Sequence, residues 1–90
     1  MGKLQNLEDN VLILMEEGKY RQAWGQLIES YHKDVFRHCK SALIDKRQID
    51  PEDITQDVFV TAIEALPKFR RQSSIYTWLI GIARNKCKKA

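Results

Sequence analysis

Residues 50–67 read Asp50-Pro51-Glu52-Asp53-Ile54-Thr55-Gln56-Asp57-Val58-Phe59-Val60-Thr61-Ala62-Ile63-Glu64-Ala65-Leu66-Pro67. The stretch carries its own start and stop signals. Asp50 suits an N-cap, Pro51 the first helical position, and Glu52 and Asp53 the positive end of a helix dipole. Pro67 cannot continue the helix. Between these ends Ile54, Val58, Phe59, Ala62 and Leu66 recur at helical spacing, which predicts one buried face. Thr55, Gln56, Asp57 and Thr61 are left facing outward.

The flanking sequence reads as further helix. Residues 7–17 place Leu7, Val11, Leu14 and Met15 on one side, and Gly18 stands where a helix would end. From Tyr20 to Leu43, the positions Ala23, Trp24, Leu27, Ile28, Tyr31, Val35, Cys39 and Ala42 mark one face of a long helix. Gly25 weakens its propensity locally. Residues 44–50 form a polar connection. After Pro67 comes a loop, Lys68–Ser74, in which Ser73 or Ser74 can cap a fourth helix. That helix is predicted to bury Ile75, Trp78, Leu79, Ile82 and Ala83. Its other face shows Thr77, Gly81, Arg84, Asn85 and Lys88, with Gly81 allowing another backbone close approach. The chain has only two prolines, no alternating strand pattern and no low-complexity stretch. The expectation is an all-α, compact four-helix domain over residues 7–90. Residues 1–6 are expected to be a disordered tail, with Met1-Gly2 a tag remnant.

Ninety residues suffice for one domain, and 43% hydrophobic content suffices for one core. The longest apolar run, Val11–Met15, falls far short of the roughly 20 residues of a membrane span. With no signal peptide visible, the expected compartment is the cytoplasm. Cys39 and Cys87 form no CxxC pair and read as two buried thiols in a reducing environment. His32, His38 and Cys39 lie near one another but lack a regularly spaced fourth ligand, so no metal is expected. No cofactor motif is present. There is no paired-carboxylate pocket, nucleophile elbow or phosphate-cradling glycine loop, which argues against an enzyme.

Charge is segregated along the second half of the chain. Residues 50–66 hold five acids and no Lys or Arg, whereas residues 67–90 hold seven bases and no acid. Residues 1–49 are nearly balanced, with eight bases and seven acids, and the net charge is +3. The basic block is interleaved with Phe69, Tyr76 and Trp78. Bases beside aromatics suit a polyanion whose bases can stack, which means nucleic acid. The acidic block suits a basic protein surface. Two faces of opposite sign suggest an adaptor with two partners.

Four motifs refine this reading. They are Pro51-Glu52-Asp53-Ile54-Thr55-Gln56-Asp57-Val58-Phe59, then Ala65-Leu66-Pro67-Lys68-Phe69, then Ile75-Tyr76-Thr77-Trp78-Leu79, and Ile82-Ala83-Arg84-Asn85. In this order and spacing they resemble region two of bacterial RNA polymerase sigma factors of the extracytoplasmic-function type. The resemblance covers roughly residues 7–90. It implies that the acidic helix docks on the Arg-rich clamp coiled coil of the polymerase's largest subunit, through Asp53, Gln56 and Asp57. Carboxylates three to four residues apart can accept paired hydrogen bonds from guanidinium groups. Asp57 stands where the family usually has Glu, which shortens its reach; Ile54 stands where Leu is usual.

The resemblance also implies that the loop and last helix bind the non-template single strand of the minus-ten promoter element, one base being flipped into a pocket built by the loop. The matching positions are the loop Lys68–Ser74 with Phe69, and Tyr76 and Asn85 on the helix. Arg70, Arg71, Arg84 and Lys88 would follow the phosphates. A flipped base needs an aromatic wall, worth about 1–3 kcal/mol per stacked base, and an amide such as Asn to read its edge. Factors of this type carry a second domain that reads the minus-thirty-five element, and nothing here corresponds to it, so an excised domain or truncated homologue is expected. An anti-sigma protein is a further partner that such factors have, and a monomer is expected.

Two other classes compete. A helix-turn-helix regulator would read duplex DNA with residues 75–89, but it needs a short helix before a tight turn, and the preceding segment is long and acidic. A helical protein–protein scaffold is suggested by Gly18-Lys19-Tyr20-Arg21-Gln22-Ala23-Trp24 with Tyr31, which mimics one tetratricopeptide unit. No second copy follows about 34 residues on.

Overall fold

The computed structural model describes residues 3–90, with side chains from Glu8 onward. Four helices run in order: α1 (Lys3–Glu16), α2 (Tyr20–Ala42), α3 (Pro51–Ala65) and α4 (Ile75–Lys89), with a 3₁₀ turn, Leu66–Lys68, following α3. The all-α, four-helix expectation holds. α1 starts at Lys3 rather than at residue 7. Of the stretch expected to be a tail, Met1 and Gly2 lie outside the described residues; so does the side chain of Leu7, which was expected on the apolar side of α1.

Each boundary has a local cause. Gly18 adopts a left-handed φ of 75°, its N–H donating to the Met15 carbonyl at 3.0 Å and that of Lys19 to Leu14 at 2.8 Å. This is the Schellman arrangement that ends α1. Asp50 caps α3, its Oδ1 accepting from the Glu52 N–H at 2.9 Å. Of the two candidate serines, Ser74 caps α4, its Oγ accepting from the Thr77 N–H at 3.0 Å. Pro67 leaves α3 to tighten into the 3₁₀ turn before the chain extends at Phe69.

α2 is the spine: α1, α3 and α4 all pack on it, and α3 packs on α4. The core joins Ala23, Leu27, Tyr31, Val35 and Cys39 of α2 to Val58, Phe59 and Ala62 of α3 and to Ile75, Leu79, Ala83 and Cys87 of α4. His32 anchors the start of α3. Its Nε2–H donates to Glu52 Oε1 at 3.0 Å, and its ring stacks near those of Phe36 and Phe59.

Three expectations need correcting. Thr55 is fully buried rather than outward. The stripe of α3 runs 55, 58, 62, 66, which puts Ile54 on its flank; the Thr55 hydroxyl tolerates burial because it donates to the Pro51 carbonyl at 2.8 Å. Ala42 is exposed and Leu43 is buried in its place, because α2 ends at Ala42 and the chain turns at Leu43. Trp78 and Ile82 are only half-buried and line the edge of the core. Cys39 and Cys87 are free, buried thiols. No helix among the described residues is long and apolar enough to cross a membrane.

Candidate nucleic-acid interface

Asp53, Gln56 and Asp57 are all exposed on α3, with Val60, 54% exposed, one turn further along the same side. The acids of this block differ in their engagements. Asp50 is used in the cap and Glu52 is held by His32. Asp57 Oδ2 lies 3.1 Å from Lys86 Nζ of α4. Asp53 has no ion pair among the described residues. The acidic and basic blocks therefore meet at one ion pair, Asp57–Lys86, while Asp53 and Gln56 remain open.

The loop after α3 folds back over α4. Phe69 packs on Trp78 with ring centroids 5.1 Å apart and planes tilted by 51°. Together with Ala65, Lys68, Arg70, Gln72 and Ser73 these rings line a groove of about 300 Å³. Its wall is aromatic, its rim is cationic, and Gln72 supplies an amide. Sequence reasoning placed Trp78 in the core and passed over Gln72. The signal for Trp78 was available: Ile75, Leu79, Ala83 and Cys87 form a strict four-residue stripe, and Trp78 sits one position off it.

Lys68, Arg70, Arg71 and Ser74 are exposed. Arg71 has a φ of 59°, the one positive value on a non-glycine residue among those described. Its Nη2 donates to Glu16 Oε2 of α1 at 3.0 Å, a contact that helps hold an unfavourable backbone conformation. Ser74 spends its hydroxyl on the α4 cap and on Thr77 Oγ1, 2.9 Å away. The Tyr76 N–H, one of the first-turn donors of α4, donates to Glu8 Oε1 at 3.1 Å. The Tyr76 ring is 43% exposed and lies 6.0 Å from the ring of Tyr31 beneath it. Burial chiefly, and then the carboxylates of Glu8 and Asp34, push the Tyr31 phenol up to about 12. That hydroxyl is buried without a hydrogen-bond partner. Glu8 and Glu16 went unnoticed in the sequence, since nothing in local spacing connects them to residues more than fifty positions away.

Arg84, Asn85 and Lys88 are exposed on α4 along with Gly81. The structure does not bring Asn85 to the aromatic groove. It lies about 10 Å further along the axis from Trp78, in a separate groove of about 240 Å³ lined also by Thr61, Ile82, Lys86 and Lys89. A methyl group added at Gly81 would meet nothing within 4 Å. Among the described residues no cluster of three or more His, Cys, Asp or Glu side chains gathers to hold a metal.

Comparison with known proteins fits this arrangement. The family model for Sigma-70 region 2 matches residues 27–90. The chain is 34% identical over 59 residues to the ECF RNA polymerase sigma factor SigX of Bacillus subtilis, covering 66% of this chain and 29% of that protein. It is 41% identical over 58 residues to the ECF RNA polymerase sigma factor SigC of Mycobacterium tuberculosis, covering 64% and 30%. It is 31% identical over 86 residues to the ECF RNA polymerase sigma-E factor of Escherichia coli, covering 93% and 42%. The chain thus spans less than half the length of these relatives. No solved structure matches it.

Proposed function

The chain belongs to the sigma-70 region 2 family, and from that premise we propose that it acts in transcription initiation as a two-faced adaptor without a catalytic step. The α3 face binds the clamp coiled coil of the RNA polymerase largest subunit. Asp53 and Gln56 are open for guanidinium donors, and Asp57 exchanges its Lys86 partner for one across the interface. The loop and α4 capture the non-template single strand of the minus-ten element. The observation that carries the reading is the groove beside Phe69 and Trp78. It is a cationic-rimmed aromatic slot, open to solvent, on a segment that has no carboxylate of its own.

Each part has a defined task. Phe69 and Trp78 offer a face for an unstacked base, and the Gln72 amide offers both donor and acceptor to its edge. Lys68, Arg70, Arg84 and Lys88 neutralise phosphates, and Arg71 joins them once released from Glu16. Tyr76 presents a further ring. Asn85 reads a second base at the far end of α4. Because stacking requires an unpaired base, strand capture itself drives melting. An anti-sigma protein would compete for either face.

The test is a fluorescence-anisotropy titration with a minus-ten-like single strand and with the same sequence as duplex. Tighter binding to the single strand is expected. With four free cations on phosphates, the log–log salt slope should be about −3. Equal affinity for both forms would favour the helix-turn-helix alternative.

A further inference from the structure

The two cysteines are far apart in sequence and adjacent in the fold. Cys39 stands in the last turn of α2 and Cys87 in the last turn of α4. Each ends the buried row of its helix, which runs Ala23, Leu27, Tyr31, Val35, Cys39 on α2 and Ile75, Leu79, Ala83, Cys87 on α4. The two rows belong to one core, and both thiols are free. They meet there. Burial chiefly, and then a side-chain hydrogen bond with Cys39, push the Cys87 thiol up to about 11. Lys46, in the connection after α2, ties the same two ends together. Its Nζ donates to the Cys87 carbonyl at 3.4 Å and to the Ala90 carbonyl at 2.9 Å.

Access to the pair is one-sided. Cys39 is fully buried, whereas Cys87 is 5% exposed and lines an open groove of about 450 Å³ together with His38, Ala42, Lys46, Arg84 and Lys88. A small oxidant entering this groove reaches Cys87 first and finds Cys39 behind it. Among the described residues the titratable and charged groups lining the groove are His38 from α2, Lys46 from the connection, and Arg84 and Lys88 from α4, with no carboxylate. Cations beside a thiol favour its thiolate. The Lys46 ammonium acts in that direction on Cys87, against the larger effect of burial.

We propose that Cys39 and Cys87 form a dithiol site that hydrogen peroxide oxidises to an intramolecular disulfide joining the ends of α2 and α4. In the first step the Cys87 thiolate attacks one peroxide oxygen. An S–O bond forms, the O–O bond breaks, and the leaving hydroxide takes a proton from solvent. Cys87 is then a sulfenic acid, oxidised by two electrons, and one oxygen has left as water. In the second step the Cys39 sulfur attacks the Cys87 sulfur. The S–S bond forms, the S–O bond breaks, and the departing hydroxide takes the Cys39 proton to give a second water. Cys87 is the attacking residue because it lines the groove, and Cys39 resolves it because it is already in hydrogen-bond contact. That contact lets bridge closure outrun a second oxidation of Cys87. The bridge joins helices that are already packed, so the fold is kept while the unfolded chain loses freedom. The inference stands on the two thiols and their groove, independently of the strand-capture reading.

The test treats the full chain with hydrogen peroxide under native conditions, from neutral pH to about pH 9. Intact mass and peptide mapping are read for wild type, Cys39→Ala and Cys87→Ala. Wild type should become a monomer lighter by two hydrogens and yield a Cys39–Cys87 linked peptide. Because the thiolate attacks and the Cys87 thiol is held high, the rate should rise about tenfold per pH unit. The oxidised protein should melt at a higher temperature than the reduced one, and a reductant should reverse the shift. Cys39→Ala should stop at a sulfenic acid on Cys87 that dimedone traps, and Cys87→Ala should not react. The wild-type readings decide the matter even where a variant fails to fold. Oxygen gained on Cys87 without a bridge, disulfides between two chains, or a bridge that forms only in denaturant would each overturn the proposal.

Discussion

At the residue scale the least expected contacts are those that α1 makes with the loop before α4 and with the first turn of α4. Glu16 pairs with Arg71 at 3.0 Å, with both side chains at least half exposed. On the strand-capture proposal, DNA would exchange this carboxylate for a phosphate. Exposed pairs of this kind contribute about 0.2–1 kcal/mol, so Glu16→Gln should tighten single-strand binding by about 1.5- to 5-fold. The gain should vanish in an Arg71→Ala background; a loss of affinity would mean that Glu16 acts by shaping the loop. Tyr31 supplies a second prediction. Its unpaired buried hydroxyl is a desolvation cost, so Tyr31→Phe should be neutral or stabilising by about 1 kcal/mol in denaturant titrations at neutral pH. The Tyr31 phenol and the Cys87 thiol, the latter pushed up to about 11 chiefly by burial, both hold their protons to higher pH than in the unfolded chain. Their contribution to stability is full below about pH 9 and is lost as pH rises towards 11–12. Tyr31→Phe should make that alkaline loss smaller. Single residues with local roles, such as Asp50, Pro51 and Gly18, were legible in the sequence because a cap needs only its neighbours. Thr55 was not: a stripe read by hydrophobicity cannot foresee a hydroxyl satisfied by a carbonyl one turn back.

At the scale of elements, the helices were legible because each has a strong apolar period and a cap or breaker beside at least one end. The α4 stripe shows where this reading blurs. It assigned Trp78 and Ile82 to the interior along with Ile75 and Leu79, although the buried row is narrower and leaves Trp78 to the groove. The Phe69–Trp78 pair and the fold-back of the loop follow from tertiary packing across α3 and α4, for which the sequence carries no period. The polar face of α4 was read correctly, and Gly81 within it gives a test that separates folding from binding. Gly81→Ala meets no neighbouring atom and should stabilise the helix by about 0.5–1 kcal/mol. If a DNA strand runs closely along this face, the same change should weaken single-strand binding. A more stable protein with unchanged affinity would place the strand elsewhere.

For the molecule as a whole, the charge blocks visible in the sequence become two faces of adjacent helices, α3 and α4, joined at Asp57–Lys86. The alternation of sign was legible; the ion pair that couples the faces was not, since it depends on the register between two helices far apart in sequence. The account's central claim is that the open acidic side of α3 is a docking face for the polymerase. The direct test is titration of the domain with the isolated clamp coiled coil of the RNA polymerase largest subunit, comparing wild type with the Gln56→Ala/Asp57→Ala double variant. Saturable binding by wild type, lost in the double variant while single-strand DNA binding is retained, is the predicted result. A well-folded wild type that fails to bind the coiled coil would contradict the account.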